Sequence, residues 1–470
     1  MIDNSTLVLF GARGNLAKVK LIPGLFHLDQ AGKLPKNMKI LSVGRQEVDE
    51  SEWHSNIKKM LVEKFNSYDE NVFERFIKRN LYHANLPDDP EAFIKFAKRL
   101  GDKDVFPQNL AFFLSVRPSD FALIVKQLSE VDLLDESEFW RRVLIEKPFG
   151  TCLKSAIELQ NSIEEHLKED QIYRIDHYLG KFSLQNIMTT RFKNGLLEPL
   201  WSNEHIEQIQ ITNHETLGVG DRTVFYEATG ALRDMIQSHL LQMLALVTME
   251  KPNTMSPEDV RLEKIKLLES IEAIPLDRIK NFAFRGQYAA GELKGETVQG
   301  YLEEVEKSDS VVETYAAIKL FINNSRWNKV PIYLRTAKRL YENSTTISVK
   351  FKNHENWLTI NIQPNESTSF EITTPEPAMN EFRQTVLNGN NRIEGDETID
   401  AYETLMLDLL SGDQSKFLHI DEVKAAWKLV DPIIDYWSKD KSKPTQYKPG
   451  EFDPEESKVI FEDESQFWKK

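Results

Sequence analysis

The segment RIDHYLGK (Arg174–Lys181) packs cations, a histidine, a carboxylate and a phenol into one short run. If it opens a helix, its first-turn amides and the side chains of His177, Tyr178 and Lys181 can all face a phosphate. Equally, Asp176 can be a plain N-cap ahead of an amphipathic helix. A second candidate is GALRDMIQSHLLQML, where α-helical spacing sets His239 on the side of Met235 and Met243. A histidine between methionines suits a core position. It also suits a general base, because imidazole titrates near neutrality and gains basicity from a carboxylate on its other nitrogen. Asp176 is the candidate for that carboxylate. The 10 histidines show no H-x-x-x-H pairing and no His/acid cluster with ligand spacing, so no metal site is expected.

A third candidate is LVLFGARGNLAKVKL, which places Gly11 and Gly14 between a β-rich run and a helix-like stretch. Glycines there let the backbone approach a pyrophosphate, with helix N-terminal amides facing the anion. The spacing is G-x-x-G-x-x-A, with Ala17 at the close-packing position, and a glycine turn without any ligand fits the same pattern. The next run, Ile40–Val43, leads into Gly44, Arg45 and Gln46, with no acid at its tip to hold ribose hydroxyls. Arg45, seconded by Arg13, can pair with a 2′-phosphate, which favours NADP over NAD. Both arginines also suit a solvated surface, and Arg13 has the alternative of folding back toward Arg117.

These residues need elements to hold them. Thr6–Phe10, Ile40–Val43, Leu110–Val116 and Arg142–Ile145 read as strands separated by helix-like charged stretches, which argues for βαβ units and a parallel sheet. Beyond about residue 180, His205–Thr212, Val312–Ile322, Val330–Leu334, Thr346–Phe351 and Trp357–Gln363 read as an antiparallel sheet. Helices are expected at Tyr226–Met249, Ser256–Ser270, Ala401–Leu410 and Asp421–Trp437, and the Pro- and Lys-rich C-terminal stretch reads as a surface loop or tail. The expected fold class is α/β plus α+β. A Rossmann-like dinucleotide-binding domain covers residues 1–177, and a substrate-binding and oligomerisation domain with a large, mainly antiparallel sheet and helices covers 178–470.

Composition narrows the partners. The chain has 470 residues and a net charge of −15, with no basic arm, which argues against nucleic-acid binding. A small phosphorylated ligand needs only a local basic pocket and stays open. One cysteine, Cys152, excludes an intramolecular disulfide. The longest nearly apolar stretch, Leu240–Met249, is too short to span a bilayer, and an acid stands near the start where a secretory signal carries lysines. A cytoplasmic protein with no membrane contact is expected.

Taken together, GARGNLAKVKLIPGLF, IEKPFGT, RIDHYLGK, QNI, TGALRDMIQSHLLQML, RWNKVPIYLRTAKRL and IQPNE resemble the glucose-6-phosphate dehydrogenase family, in its order and across nearly the whole chain. The resemblance implies oxidation of glucose 6-phosphate at C1 to 6-phosphogluconolactone with hydride transfer to NADP, the first step of the oxidative pentose phosphate pathway. NAD would serve more weakly. It implies that His239 and Asp176 form the catalytic dyad, that His177, Tyr178 and Lys181 bind the phosphate, and that Lys147 and Pro148 sit between sugar and nicotinamide. It assigns Glu215, Asp234, Lys338, Gln363 and Tyr402 to the substrate, and Lys20, Arg45 and Gln46 to the cofactor, beside the Gly11, Arg13 and Gly14 already read from the glycine turn. It also implies a homodimer formed through the sheet domain. Arg13, Asn15, Arg117, Phe182, Ala337 and Asn343 depart from the family's usual residues, none of them in the dyad. Two rivals stand beside this reading: a different NAD(P)-dependent sugar dehydrogenase, and a non-catalytic NADP-binding relative. The first has no use for the His177, Tyr178 and Lys181 cluster, and the second would be expected to lose the dyad.

Overall fold

A computed structural model describes residues 2–65, 67–377, 381–391, 395, 398–440 and 442–470. The chain divides into two compact units. The first comprises Met1–Lys181, Met255–Arg261 and Thr398–Ile420, and the second Phe182–Thr254, Leu262–Glu397 and Asp421–Lys470.

The first unit is built on β1 (Ser5–Phe10), β2 (Lys39–Gly44), β3 (Asn80–Ala84), β4 (Asn109–Leu114), β5 (Arg141–Ile145) and β6 (Ile172–Ile175). They lie in the order β6-β5-β4-β1-β2-β3, all parallel, with the short strand Phe417–Leu418 antiparallel on the β6 edge. This is the doubly wound order, with its switch point between β1 and β4, where such sheets bind ligands at the strands' carboxyl ends. The continuous apolar runs have the expected cause: β1 is buried at every position, and Leu7, Leu9, Ile40 and Phe113 share one core with Trp53 and Phe26 from the covering helices. Asp49, Asp69 and Asp89 each cap the helix that follows by accepting from first-turn amides, which starts those helices cleanly. The late return Thr398–Ile420 adds the helix Ala401–Ser411, whose Leu405, Met406 and Leu409 enter the same core.

The second unit carries a nine-stranded sheet among the described residues, in the order Phe382–Asn390, Ser367–Pro375, Trp357–Gln363, Ser344–Phe351, Ile206–His214, Ile332–Ala337, Tyr315–Leu320, Ala283–Tyr288 and Thr445–Tyr447. Most pairs are antiparallel. Ile206–His214 with Ile332–Ala337, and Ala283–Tyr288 with Thr445–Tyr447, are parallel. The C-terminal stretch is therefore more than a surface tail. Thr445–Tyr447 adds an edge strand, and Trp468 and Ile460 are buried with Tyr288, Tyr315 and Tyr333 in an aromatic core. Tyrosines and tryptophans that look like surface decoration in a charged tail gain more by covering this face than by hydration. The long helix expected over Tyr226–Met249 is three pieces: Thr223–Ala231, a π-helical segment Leu232–Leu240, and Leu241–Thr248. No helix among the described residues is long and apolar enough to cross a membrane.

Candidate active site

In the first unit, the turn after β1 makes a cradle. Gly11 has φ +78°, and a Cβ added there would stand 2.0 Å from the Ser115 carbonyl oxygen, so only glycine fits. Gly11 and Ala12 both donate their amides to the Val43 carbonyl, which ties the turn to the end of β2. Gly11, Arg13, Gly14, Arg45, Gln46 and Arg117 line a cavity of about 600 Å3 at the carboxyl ends of β1, β2 and β4. Such a glycine-floored, arginine-walled cleft fits a dinucleotide carrying a 2′-phosphate.

Arg13 donates to the Gln46 side chain and interacts with Tyr82, at the end of β2. Arg45 and Arg117 share one carboxylate, Asp120, at 3.7 and 3.6 Å. Lys20 is not among the residues lining this cavity, and its ammonium pairs with Asp400 at 2.8 Å. Arg117, which the sequence offers as a departure from the family and as a neighbour of Arg13, is thus a third cation on the cofactor cleft. Its charge was the signal available. The place of β4 beside β1 turns that charge into a neighbour of Arg45.

A second cluster in the same unit surrounds the RIDHYLGK turn. Asp176 is buried at the end of β6, and its Oδ1 accepts the Tyr178 amide at 2.9 Å, capping a single 3₁₀ turn, His177–Gly180. The motif opens that turn and not a long helix; the helix Phe182–Phe192 begins after Lys181. The His177 ring stacks on Tyr402 at 5.9 Å with 7° between planes, and the Lys181 ammonium lies 3.9 Å over the Tyr178 ring. Tyr402 reaches this cluster because Asp400 caps its helix. The Tyr402 hydroxyl bonds to Glu146, which precedes Lys147 and the cis Lys147–Pro148 peptide. Burial pushes the Glu146 carboxyl up to about 8, against the opposing pull of Lys147 and Tyr402 and with Asp176 adding to the rise. Burial and the same Glu146 raise the Tyr402 hydroxyl. Sequence reasoning passed over Glu146 although it adjoins Lys147. A glutamate beside a lysine at a strand end reads as surface, whereas the fold half-buries it and covers its Oε1.

The second unit gathers its own set. Ile206–His214 and Ile332–Ala337 run parallel with His214 opposite Ala337, so the next residues, Glu215 and Lys338, emerge side by side and form an ion pair. The Lys338 ammonium also lies 5.5 Å from the Tyr226 ring. Gln363 ends its strand opposite Thr345, which in turn faces Asn213, so it belongs to the same edge of the sheet. Asn343 accepts the Thr216 amide at 2.8 Å and braces the loop beside Glu215. The histidine helix departs from the α-helical face expected for it. Through Leu232–Leu240 the backbone bonds i→i+5, which widens the turn that an α-helix would make between Asp234 and His239. Gly230, at φ +67°, lets the Glu313 carboxylate reach the Leu232 amide at 2.9 Å, which starts this segment; a Cβ there would be 2.4 Å from Glu313 Oε1. Asp234 and His239 are both buried.

Residues 8–186 match the model of the glucose-6-phosphate dehydrogenase NAD binding domain, and residues 188–469 match that of the glucose-6-phosphate dehydrogenase C-terminal domain. The chain belongs to the glucose-6-phosphate dehydrogenase family. Glucose-6-phosphate 1-dehydrogenase of Bacillus subtilis (strain 168) is 37% identical, over 99% of this chain and 98% of its own. The Chlamydia pneumoniae protein of the same name is 38% identical, over 98% and 95%. Among solved structures, a glucose-6-phosphate dehydrogenase in complex with its substrate glucose-6-phosphate superposes with a TM-score of 0.91 at 33% identity, covering 100% of this chain and 99% of that one. A levoglucosan dehydrogenase in complex with NADH and levoglucosan has a TM-score of 0.52 at 10% identity, a likeness of fold alone.

Proposed function

We propose that the residues assembled above carry the family's reaction in this chain. That reaction is oxidation of glucose 6-phosphate at C1 to 6-phosphogluconolactone with NADP, the first step of the oxidative pentose phosphate pathway, and it makes the chain an NADP-dependent oxidoreductase. The observation that carries the assignment of roles is the His177, Tyr178 and Lys181 cluster on the Asp176-capped turn. A sugar without a phosphate needs no such cluster.

In this reading the first unit binds the dinucleotide. Gly11 and Gly14 admit its pyrophosphate, and Arg13, Arg45, Gln46 and Arg117 hold the 2′-phosphate end. The chemistry the cofactor supplies when bound is acceptance of the hydride from C1. His239 takes the proton of the C1 hydroxyl, and Asp176 orients the imidazole and stabilises its protonated form. His177, Tyr178 and Lys181 hold the sugar phosphate, while Glu215, Asp234, Lys338, Gln363 and Tyr402 contact the sugar or its phosphate. Lys147 and Pro148 stand between sugar and nicotinamide, and Lys20, whose ammonium pairs with Asp400, serves the cofactor side. We also assign the second unit to homodimer formation, supported by the exposed Phe382, Val386 and Leu387 on its edge strand, and the protein to the cytoplasm.

The test is the rate of nicotinamide reduction with glucose or glucose 6-phosphate and with NADP or NAD, on the natural chain and on His239→Asn. Turnover should require the phosphorylated sugar and favour NADP. His239→Asn should lower kcat by roughly 10²–10⁴-fold while NADP binding persists. Unchanged kcat would remove His239 from the mechanism, and equal rates with glucose would remove the phosphate cluster. A monomer's mass by light scattering would remove the dimer, and recovery in a membrane or secreted fraction would remove the cytoplasmic assignment.

A further inference from the structure

The first unit has a second cavity, of about 850 Å3, at the opposite end of its sheet from the glycine turn. Asn4 lies just ahead of β1, Lys39 opens β2, and Pro107 precedes β4; all three line the cavity, and because these strands are parallel it sits at their amino ends. In a chain of net charge −15, its walls carry Lys36, Lys39, Arg75, Lys78, Arg79 and Lys103 against the carboxylates Glu74 and Asp104.

Part of this charge has a local use. Lys78 and Arg79 close the helix Glu70–Arg79, where the helix dipole favours cations, and the Lys39 ammonium donates to the Lys78 carbonyl at 3.1 Å. Arg75 and Arg79 both pair with the buried Asp29, each at 2.9 Å, so two guanidinium groups share one carboxylate. The Arg79 side chain is 8% exposed, and its Nε has no hydrogen-bond partner. The remainder has no such account. Lys36 stands in the loop before β2 and Lys103 in the turn after the helix Pro90–Leu100. Among the described residues, neither they nor Lys78 pairs with a carboxylate; Lys103 has only the Phe139 ring, at 5.8 Å. Six cations on the walls outnumber Glu74, Asp104 and the shared Asp29, although Arg79 is itself occupied by Asp29 and the Pro35 and Lys36 carbonyls, and the excess around one concave space makes a field that a compact polyanion would neutralise.

We propose that this cavity binds a linear oligophosphate, bare or carried on a nucleoside. A single phosphate would leave most of the space and most of the cations unused, whereas ligand sites of roughly 300–1,000 Å3 take molecules of nucleotide size. The site is separate from the cofactor cleft, and nothing in it depends on the catalytic roles assigned above.

The test is calorimetric titration of the full chain with inorganic triphosphate and, in a second arm, adenosine triphosphate, both with saturating NADP and no sugar, so that the cofactor cleft is filled. Lys36, Lys78 and Lys103 are exposed, so K36A/K78A/K103A should fold and keep its kcat with glucose 6-phosphate. Its affinity for triphosphate should fall at least ~10-fold, and the affinity of the natural chain should fall as salt rises. A control triple at exposed lysines elsewhere, K193A/K251A/K280A, and Lys181→Ala should both bind as the natural chain does. Tighter binding of adenosine triphosphate would assign a nucleoside-borne ligand, and equal binding a bare oligophosphate. No heat with either probe, equal loss in the control triple, or loss in Lys181→Ala with none in K36A/K78A/K103A would overturn the proposal.

Discussion

Replacing Arg45 with alanine should separate NADP from NAD, and the structure sets the size of the effect. The two cofactors differ only in the adenosine 2′-phosphate. Arg45 and Arg117 reach Asp120 at 3.7 and 3.6 Å, too far for good hydrogen bonds, and their side chains are 56% and 69% exposed. They are held loosely enough to turn to an incoming phosphate. A guanidinium ~4 Å from a phosphate dianion in water-like surroundings gains ~2 kcal/mol by Coulomb's law. Screening at physiological ionic strength, with a Debye length of ~8 Å, reduces this to somewhat over ~1 kcal/mol. A charge-assisted hydrogen bond restores part of it, so about 1–2 kcal/mol per arginine is reasonable, or roughly a 5- to 30-fold change. Arg45→Ala should therefore raise KM for NADP by that factor and leave KM for NAD nearly level. Arg13→Ala should act in the same direction. Arg45→Ala with Arg117→Ala should fall short of the product of the singles, because both arginines answer to the same Asp120. The assay is initial-rate kinetics at saturating glucose 6-phosphate with each cofactor in turn. Equal losses for NADP and NAD would show that the arginines hold the turn or the adenosine, and an improvement on removing Arg13 would show that it obstructs the cleft.

Two further outcomes follow from the other cluster of the first unit. Lys181→Ala removes a cation held over the Tyr178 ring, and at ~2–3 kcal/mol for a largely desolvated charge pair it should weaken glucose 6-phosphate binding while barely changing any slow reaction with free glucose; equal losses for both sugars would make Lys181 structural. Glu146 titrates near 8 in the fold against an ordinary value of 4.5, so it contributes stability that is complete below about 4.5 and is lost as pH rises through about 8. Glu146→Gln cannot ionise, so thermal melts should show the natural chain losing Tm relative to the variant between about pH 5 and pH 9, and a difference that stays constant with pH would refute the shift.

Much of the site was legible without coordinates because local chemistry demands particular residues. A glycine turn between strand and helix needs residues without a Cβ, and Gly11 shows why at 2.0 Å from Ser115. Strands covered on both faces must be continuously apolar, so β1, β2 and β4 announce themselves within a residue or two of their observed ends. Glu215 and Lys338 fall three and four residues past the β-rich runs read from the sequence, and the observed strands run on to the residue just before each of them. Their pairing, however, depends on two strands far apart in sequence lying parallel and in register. The same is true of Tyr402 beside His177 and of Arg117 beside Arg45, since neither spacing nor composition says which distant segments will share a core. The π-helical segment that carries Asp234 and His239 starts where Gly230 yields its space to Glu313, a carboxylate from another part of the unit. Burial is the last thing that only the fold decides. Glu146 follows an apolar strand run beside a lysine, and Trp468 sits in a charged tail. Tertiary packing half-buries the first and raises its pKa, and it closes an aromatic core with the second. Periodicity and residue type determine each element from its neighbours along the chain, whereas contacts between elements are set by the single arrangement that buries all their apolar faces together.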